Sequence, residues 1–382
     1  MKKKRIIESG KDSFYVKGKN IPKGCQLCLE GKKTVLFLNG MCQNPPHCFW
    51  YCPISEERKN KEFSFANEIQ LTSKEDLLKE IKMSRSTGMS VTGGDPLFAP
   101  NLDKTLEYID YVKQKKGKKF HVHLYTNGLN FNESIAQELA NAGLDEIRFN
   151  PPRDSWNVIK YALNKGMKVG AEVPAIPTDE NVKEIKDLIF YLDEIGADFI
   201  NINEFEYCMP NSQNLKDRGF SLVKGTIASV ENSKDLALEL IKEVKDRVNL
   251  MIHLCTVSTK DFWQLSKRYT RRARSIKKPF EEITNEGLLM YASIEGNQDN
   301  LKIIKNYLIS NMKIPQDLLE LSLTEIKFPI DVALNDTFNT FIRENSLSIN
   351  ILETTPFLEI IYRQITEKIP IDVFKEELEI NL

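Results

Sequence analysis

The sequence has almost no net charge: Lys+Arg 53 stand against Asp+Glu 54, a formal balance of -1. That excludes a global field drawing the protein to nucleic acid or to an anionic membrane, so any basic surface has to be local. There is also no apolar run approaching the roughly 18 residues of a spanning helix. The basic start MKKKRIIESG has no hydrophobic stretch behind it, and the chain reads as a cytoplasmic protein with no membrane partner. Internal repeats and low-complexity tracts are missing beyond short lysine runs. So is an even complement of cysteines: there are seven, five of them between positions 25 and 52. An odd, clustered set suits metal binding in a reducing compartment better than a disulfide framework.

What is present is length and a core. A chain of 382 residues that is 41% hydrophobic predicts one large or two unequal domains. From residue 33 onward, short β-branched and aromatic runs alternate with amphipathic helical patterns, the signature of repeated βα units. The pattern predicts strands at Thr34–Leu38, Ser90–Thr92, His121–Tyr125, Glu146–Phe149, Lys168–Val173, Phe199–Ile202 and Leu250–Leu254. It predicts helices at Lys74–Thr87, Leu102–Lys115, Glu133–Asn141, Trp156–Asn164, Asn181–Ile195 and Lys234–Asp246, with Ser73, Asn132 and Asp179 as amino-terminal caps. Such alternation builds a parallel sheet, either curled toward a barrel or open and doubly wound. The rhythm breaks after about residue 258. Helical stretches at Asn300–Met312 and Asp336–Glu344 and strand-like pieces at Thr324–Phe328 and Ser348–Leu352 predict a small α+β domain over 259–382. Residues 1–32 read as an extension carrying Cys25 and Cys28, ahead of an α/β domain over 33–258.

The segment NGMCQNPPHCFWYCP follows the first predicted strand, and its Gly40, Pro45, Pro46 and Pro53 mark it as a loop. Loops after the strands of an α/β sheet are where ligands bind. Three thiolates, Cys42, Cys48 and Cys52, can hold three irons of a 4Fe-4S cluster and leave the fourth open. A closed zinc site instead wants four ligands, and His47, adjacent to Cys48, is poorly placed to be the missing one. The second strand ends in VTGGDPL, Val91 to Leu97.

These two motifs resemble the radical S-adenosylmethionine superfamily, in which a cysteine triad after the first strand is followed by a glycine-rich GGEP-like segment after the second. The resemblance covers roughly residues 33 to 255. It is nearest to the archaeal proteins related to pyruvate formate-lyase activating enzyme, through GC-x-LC, CFWYCP-x-S, FANE, TGGDPL, HLYTNG, AGLDEIRFN and a late H-x-C. Two features depart from the usual pattern: the triad is spaced Cys-x5-Cys-x3-Cys rather than Cys-x3-Cys-x2-Cys, and Asp95 replaces Glu. A longer loop still wraps a cluster, because closure entropy grows slowly with length.

The resemblance implies a partial β/α barrel and an enzyme. Its 4Fe-4S cluster reductively cleaves S-adenosylmethionine to a 5'-deoxyadenosyl radical that abstracts hydrogen from a substrate, with the one electron coming from a ferredoxin or flavodoxin. By the same resemblance Gly93, Gly94 and Asp95 meet the methionine end and Tyr51 packs on adenine, with Trp50 competing for that role in the longer loop and a core aromatic the plainer alternative. Thr126, Asn127, Arg148, Glu172 and Asn203, at predicted strand ends with Asn150 and Glu204, line a polar pocket for ribose, carboxylate and substrate. His121 and His123, in mid-strand among apolar neighbours, read as core histidines. The substrate is expected to be a macromolecule, a glycyl-radical protein or an RNA. The rival from another class is a non-catalytic iron-sulfur or zinc protein.

Cys25 and Cys28 have the spacing of a metal knuckle, and Cys255 would join them if the final strand returns beside the amino-terminal segment, giving an auxiliary Fe-S cluster or a zinc. Cys208 is another candidate ligand there. The stretch SKRYTRRARSIKKP places Arg268, Arg271 and Arg272 at i+3 and i+4 spacing on a helix, either a solvated linker helix before the last domain or a patch able to hold RNA phosphates or an acidic protein surface.

Overall fold

Alternation along the strands sets the architecture. In HVHLYT, Val122 and Leu124 are fully buried on one face, and His121, His123 and Tyr125 take the other. The next strand repeats this, with Ile147 and Phe149 on the apolar face and Glu146 and Arg148 opposite. One side is thus hydrophobic and must be covered by helices, while the other gathers polar groups. The computed structural model describes residues 3–18 and 20–380; Met1 and Lys2, at the head of the basic start, lie outside them. The described residues fall into two compact units: one takes the chain up to Lys82 and Ser86–Leu265, the other Met83–Arg85 and everything from Ser266.

The first unit begins with the hairpin β1 (Ile6–Ser9) and β2 (Ser13–Val16), then α1 (Lys23–Leu29), β3 (Lys33–Phe37), β4 (Ser64–Ala66), β5 (Ile69–Leu71) and α2 (Lys74–Met83). It continues through β6 (Gly88–Thr92), α3 (Leu102–Lys116), β7 (His121–Thr126), α4 (Glu133–Ala142), β8 (Glu146–Phe149), β9 (Lys168–Ala175), α5 (Asp179–Glu194), β10 (Phe199–Glu204), α6 (Ser212–Asp217), α7 (Ser233–Val244) and β11 (Met251–Cys255). These strands form one eleven-stranded sheet, ordered β1-β2-β11-β10-β9-β8-β7-β6-β3-β4-β5. The seven central strands are parallel, and an antiparallel hairpin extends each edge. The path does not close, so the fold is an open α/β sheet of the partial-barrel kind. Ile109, Ile135, Leu188 and Ile241, from α3, α4, α5 and α7, join Leu124, Ile147, Val169 and Ile200 in a single core on the outer face.

Helix α1 lies against the inner face. A side chain on Gly24 would collide with Arg148, His123 and Glu146, so only glycine lets the helix enter. The expected extension therefore contributes two strands and an interior helix to the sheet domain. The segment expected to be α-helical at Trp156–Asn164 is a 3-10 helix over Arg153–Ala162. Its rise of about 2.0 Å per residue carries the chain farther than an α-helix of the same length. Asn132 caps α4 as expected, accepting from Ile135 N. At α5 the cap is Thr178 rather than Asp179, which stands inside the first turn where its charge favours the dipole.

The second unit holds α8 (Leu265–Ile276) from its second residue, β12 (Glu282–Ile283), β13 (Leu289–Glu295), α9 (Gln298–Ser310), β14 (Glu320–Leu321), β15 (Glu325–Phe328), α10 (Ile330–Ala333), α11 (Asp336–Glu344), β16 (Asn350–Thr354), β17 (Ile365–Pro370) and α12 (Ile371–Ile380). Its sheet runs β14-β15-β13-β16-β17, with β12 on β13, over a core of Leu301, Ile304, Phe328, Phe338 and Ile342. The basic helix α8 does not present the expected patch. Arg272 is buried, donates to Pro356 O at 2.8 Å and sits over the Phe357 ring, while Arg271 donates to Arg85 O. Helical periodicity put these arginines on one stripe, of which Arg272 turns inward while Arg268 and Arg271 stay half-buried. No helix among the described residues is long and apolar enough to cross a membrane.

Candidate active site

The cysteine loop leaves β3 and is fastened at its base. Gly94 N donates to Asn39 O at 2.8 Å and Asp95 N to Met41 O at 3.0 Å, so the backbone before Cys42 pairs with the segment after β6. Two buried asparagines complete the joint. Asn39 Nδ2 donates to Asn101 Oδ1 at 2.7 Å, and Asn101 Nδ2 donates to Met41 O and to Asp95 O. Gly93, at φ +144, holds a conformation that disfavours side chains, and a Cβ on Gly94 would strike Met41 O. The side-chain space of these glycines is thus filled by the cysteine loop itself, which seats the first thiol.

Asp95 is buried, and its carboxylate accepts from Leu97 N at 2.8 Å, Asn127 N at 2.8 Å and Thr126 Oγ1 at 3.0 Å. Burial pushes its pKa up while these donors oppose the rise. One carboxylate thereby ties the end of β6 to the end of β7. Cys48 and Cys52 share a hydrogen bond, which lowers the Cys52 thiol to about 6, and burial pushes Cys42 up to about 12. All seven cysteines are free thiols.

A cavity of about 330 Å³ collects most of the expected site. It is lined by Cys42, Cys48, Tyr51, Gly93, Gly94, Asp95, Thr126, Asn127, Arg148, Glu172 and Asn203, together with His47, Tyr125, Glu206 and Lys260. Cys52 is not among the lining residues and is hydrogen-bonded to Cys48. A second cavity of about 550 Å³ shares His47, Tyr51, Asn150 and Pro174 with the first and is walled by Trp50, Trp156, Phe220, Arg153 and Arg218. Sequence reasoning missed Lys260, which follows β11 in a π-helical turn (Thr259–Gln264) and pairs with Glu206 at 2.8 Å. It missed Asn39 and Asn101 as well; an Asn-Gly pair two residues ahead of Met41 was the available turn signal.

Arg148, expected to meet a ligand, forms part of the cavity floor with its fork already engaged. It donates to Glu146 through Nε at 2.7 Å and through Nη2, to Glu172 through Nη1, and to Cys25 Sγ at 3.3 Å. Burial would raise the Glu146 pKa, but the guanidinium more than offsets it and holds the carboxyl well below its usual range. Behind Glu146 lies His121, whose Nδ1 is 2.8 Å from Lys33 Nζ.

None of Cys25, Cys28 and Cys255 lines the cavity: Cys25 and Cys255 are buried, the first held by Arg148 and the second accepting from Gln264 at 3.4 Å, and Cys28 is half-buried. Cys208 is elsewhere: burial raises its pKa, with Glu206 and Cys52 adding to the rise, and its N–H donates to Asn211, whose side chain also holds Tyr51 O. Among the described residues no three His, Cys, Asp or Glu side chains converge on a point that would hold one metal ion. A four-iron cluster makes a different demand, since each thiolate takes a different iron, and one loop here carries three thiols, Cys42 and Cys48 at the cavity and Cys52 hydrogen-bonded to Cys48. The donor set and the room beside Cys42 and Cys48 therefore fit such a cluster.

The interior charge gives a pH signature. Burial pushes Lys33 from its ordinary 10.5 down to about 7. Between those values the unfolded chain holds the extra proton, so stability rises with pH, by at most about 1.4 kcal/mol per unit. Below pH 7 both forms are protonated and the contribution is flat at its least favourable. Denaturant melts at pH 7, 8 and 9 are expected to show this slope in the wild type and a shallower one in Lys33→Met.

Several known proteins resemble this chain. The Radical SAM superfamily model matches residues 42–152, from the first triad cysteine past the end of β8. A Methanocaldococcus jannaschii protein provisionally named a glycyl-radical enzyme activating enzyme is 36% identical over 351 residues, covering 85% of this chain and 89% of the relative. A crystal structure of Streptococcus suis SuiB bound to S-adenosylmethionine matches at 13% identity and a TM-score of 0.40, over 59% of this chain and 50% of that one. The methyltransferase TsrM from Kitasatospora setae, with tryptophan and an S-adenosylmethionine analogue bound, matches at 12% and 0.34, over 53% of this chain and 42% of its own. With the cysteine-loop segment matching the family model and a relative alike over most of both lengths, the chain belongs to the radical SAM superfamily.

Proposed function

We propose that this radical SAM enzyme holds a 4Fe-4S cluster on Cys42, Cys48 and Cys52 and acts on a glycyl-radical protein. The observation that carries the reading is the joint between the two motifs: the backbone before Cys42 is hydrogen-bonded to the Gly94-Asp95 segment, and both face one cavity. When bound, the cluster supplies the electron that breaks the bond from sulfur to C5' of S-adenosylmethionine. The chain's own residues bind and orient. Gly93, Gly94 and Asp95 shape the wall for the methionine end, Tyr51 offers its ring to adenine, and Thr126, Asn127, Arg148, Glu172 and Asn203 present the polar floor. The adjoining aromatic cavity admits the substrate segment. A protein substrate is favoured over RNA because Arg272 is spent inside its own unit and because the archaeal relative's provisional name points the same way. A ferredoxin or flavodoxin is the expected electron donor.

The test is anaerobic reconstitution followed by S-adenosylmethionine and dithionite. Formation of 5'-deoxyadenosine is expected even without substrate. A fully loaded cluster that gives none would leave the non-catalytic iron-sulfur protein as the better reading.

A further inference from the structure

Tyr125 sits where the polar interior meets the cavity. Its half-buried ring lines the same wall set as Cys42 and Cys48. Among the described residues its hydroxyl meets His123 Nε2 at 3.1 Å and Arg148 Nη1 at 3.4 Å. Arginine can only donate. His123 has no exposure, and its Nδ1 has no partner. A proton on Nδ1 would be a buried donor left unpaired at the cost of a whole lost hydrogen bond, so the tautomer with the proton on Nε2 is preferred. Burial lowers His123 well below its ordinary value, so it carries no second proton. Both neighbours therefore donate to the phenol oxygen. The phenol's own hydrogen has no acceptor in this network and is left for the cavity. Burial also holds Tyr125 in its protonated form.

We propose that Tyr125 is a catalytic hydrogen-atom donor to the C5' carbon of the deoxyadenosyl radical, ending turnovers in which no substrate is bound. The role rests on the radical reading above. The phenolic O–H bond breaks homolytically and a C–H bond forms at C5', giving 5'-deoxyadenosine and a neutral Tyr125 phenoxyl. One electron from a low-potential donor, dithionite in vitro, and one proton from water restore the phenol. Arg148 and His123 keep their hydrogen bonds to the oxygen throughout, so neither of these donors loses its acceptor at any stage. Tyr125 lines the same cavity of about 330 Å³ as Cys42 and Cys48.

The phenol hydrogen exchanges with solvent, and the carbon-bound hydrogens of the protein do not. Uncoupled turnover in D2O is therefore expected to give 5'-deoxyadenosine carrying one deuterium in most molecules, read by mass spectrometry. In Tyr125→Phe the deuterated fraction of whatever 5'-deoxyadenosine forms should fall at least about fivefold. Freeze-quenched wild-type samples should show a tyrosyl signal by electron paramagnetic resonance, and 3,5-difluorotyrosine at position 125, which keeps the phenol, should split it by fluorine coupling. Undeuterated product from the wild type, an unchanged deuterated fraction in the Phe variant, or a tyrosyl signal without fluorine splitting would overturn the role of Tyr125. Absence of 5'-deoxyadenosine from every loaded protein would instead overturn the radical reading itself.

Discussion

Replacing Cys42, Cys48 and Cys52 together by alanine is expected to remove all iron held at the loop and to bring 5'-deoxyadenosine formation to background, with the chain still folded. The three side chains belong to a connection between β3 and β4 and contribute nothing to the large core, whose members are strand and helix residues such as Leu36, Val91 and Leu124. The base of the loop is held by backbone and asparagine hydrogen bonds that the substitutions leave in place. Circular dichroism should therefore match the wild type, while iron analysis and the product assay separate the two proteins. Product above background from the triple variant would be fatal to the cluster assignment.

The largest stability effect is expected at Arg148. Alanine there strands Glu146, which has no exposure, and leaves Glu172 without its charge partner. Breaking a buried ion pair by removing one partner costs about 3–5 kcal/mol, because the remaining charge stays buried and uncompensated. At about 2–4 °C per kcal/mol for a domain of this size, the melting temperature should fall by at least about 6 °C. Adding Glu146→Gln to Arg148→Ala should restore part of the loss, since the stranded charge is then gone. If the double variant is no more stable than the single one, the cost arises from lost packing and not from charge.

The alternation that built the sheet was legible residue by residue. HVHLYT, EIRF and FININE show which positions face the helices, and the two histidines of β7 do lie in the interior as their apolar neighbours suggested. The triad and the Gly-Gly-Asp segment were legible because each is local in sequence. What stayed hidden depends on partners far along the chain. Nothing near Ser13 announces that its strand pairs with β11, and nothing near Arg148 announces that Glu146 and Glu172 will occupy its fork. The basic run before the second sheet misled for the related reason that charge counts do not say which arginines turn inward. Arg272 does so over Phe357 and the carbonyl of Pro356.

The pairing of β2 with β11 also bears on how the protein is made. Ser13 Oγ bonds His253 Nε2 at 2.7 Å across 240 residues of sequence. At about 5–20 residues per second, roughly 12–48 s of synthesis separate the two. During that interval the first hairpin has no sheet edge to join, and the helix after it has no completed interior to enter. Contacts of such high sequence separation are the slow ones to form. The joint between β2 and β11, with its buried Ser13–His253 hydrogen bond, is thus among the last parts of the first unit to set.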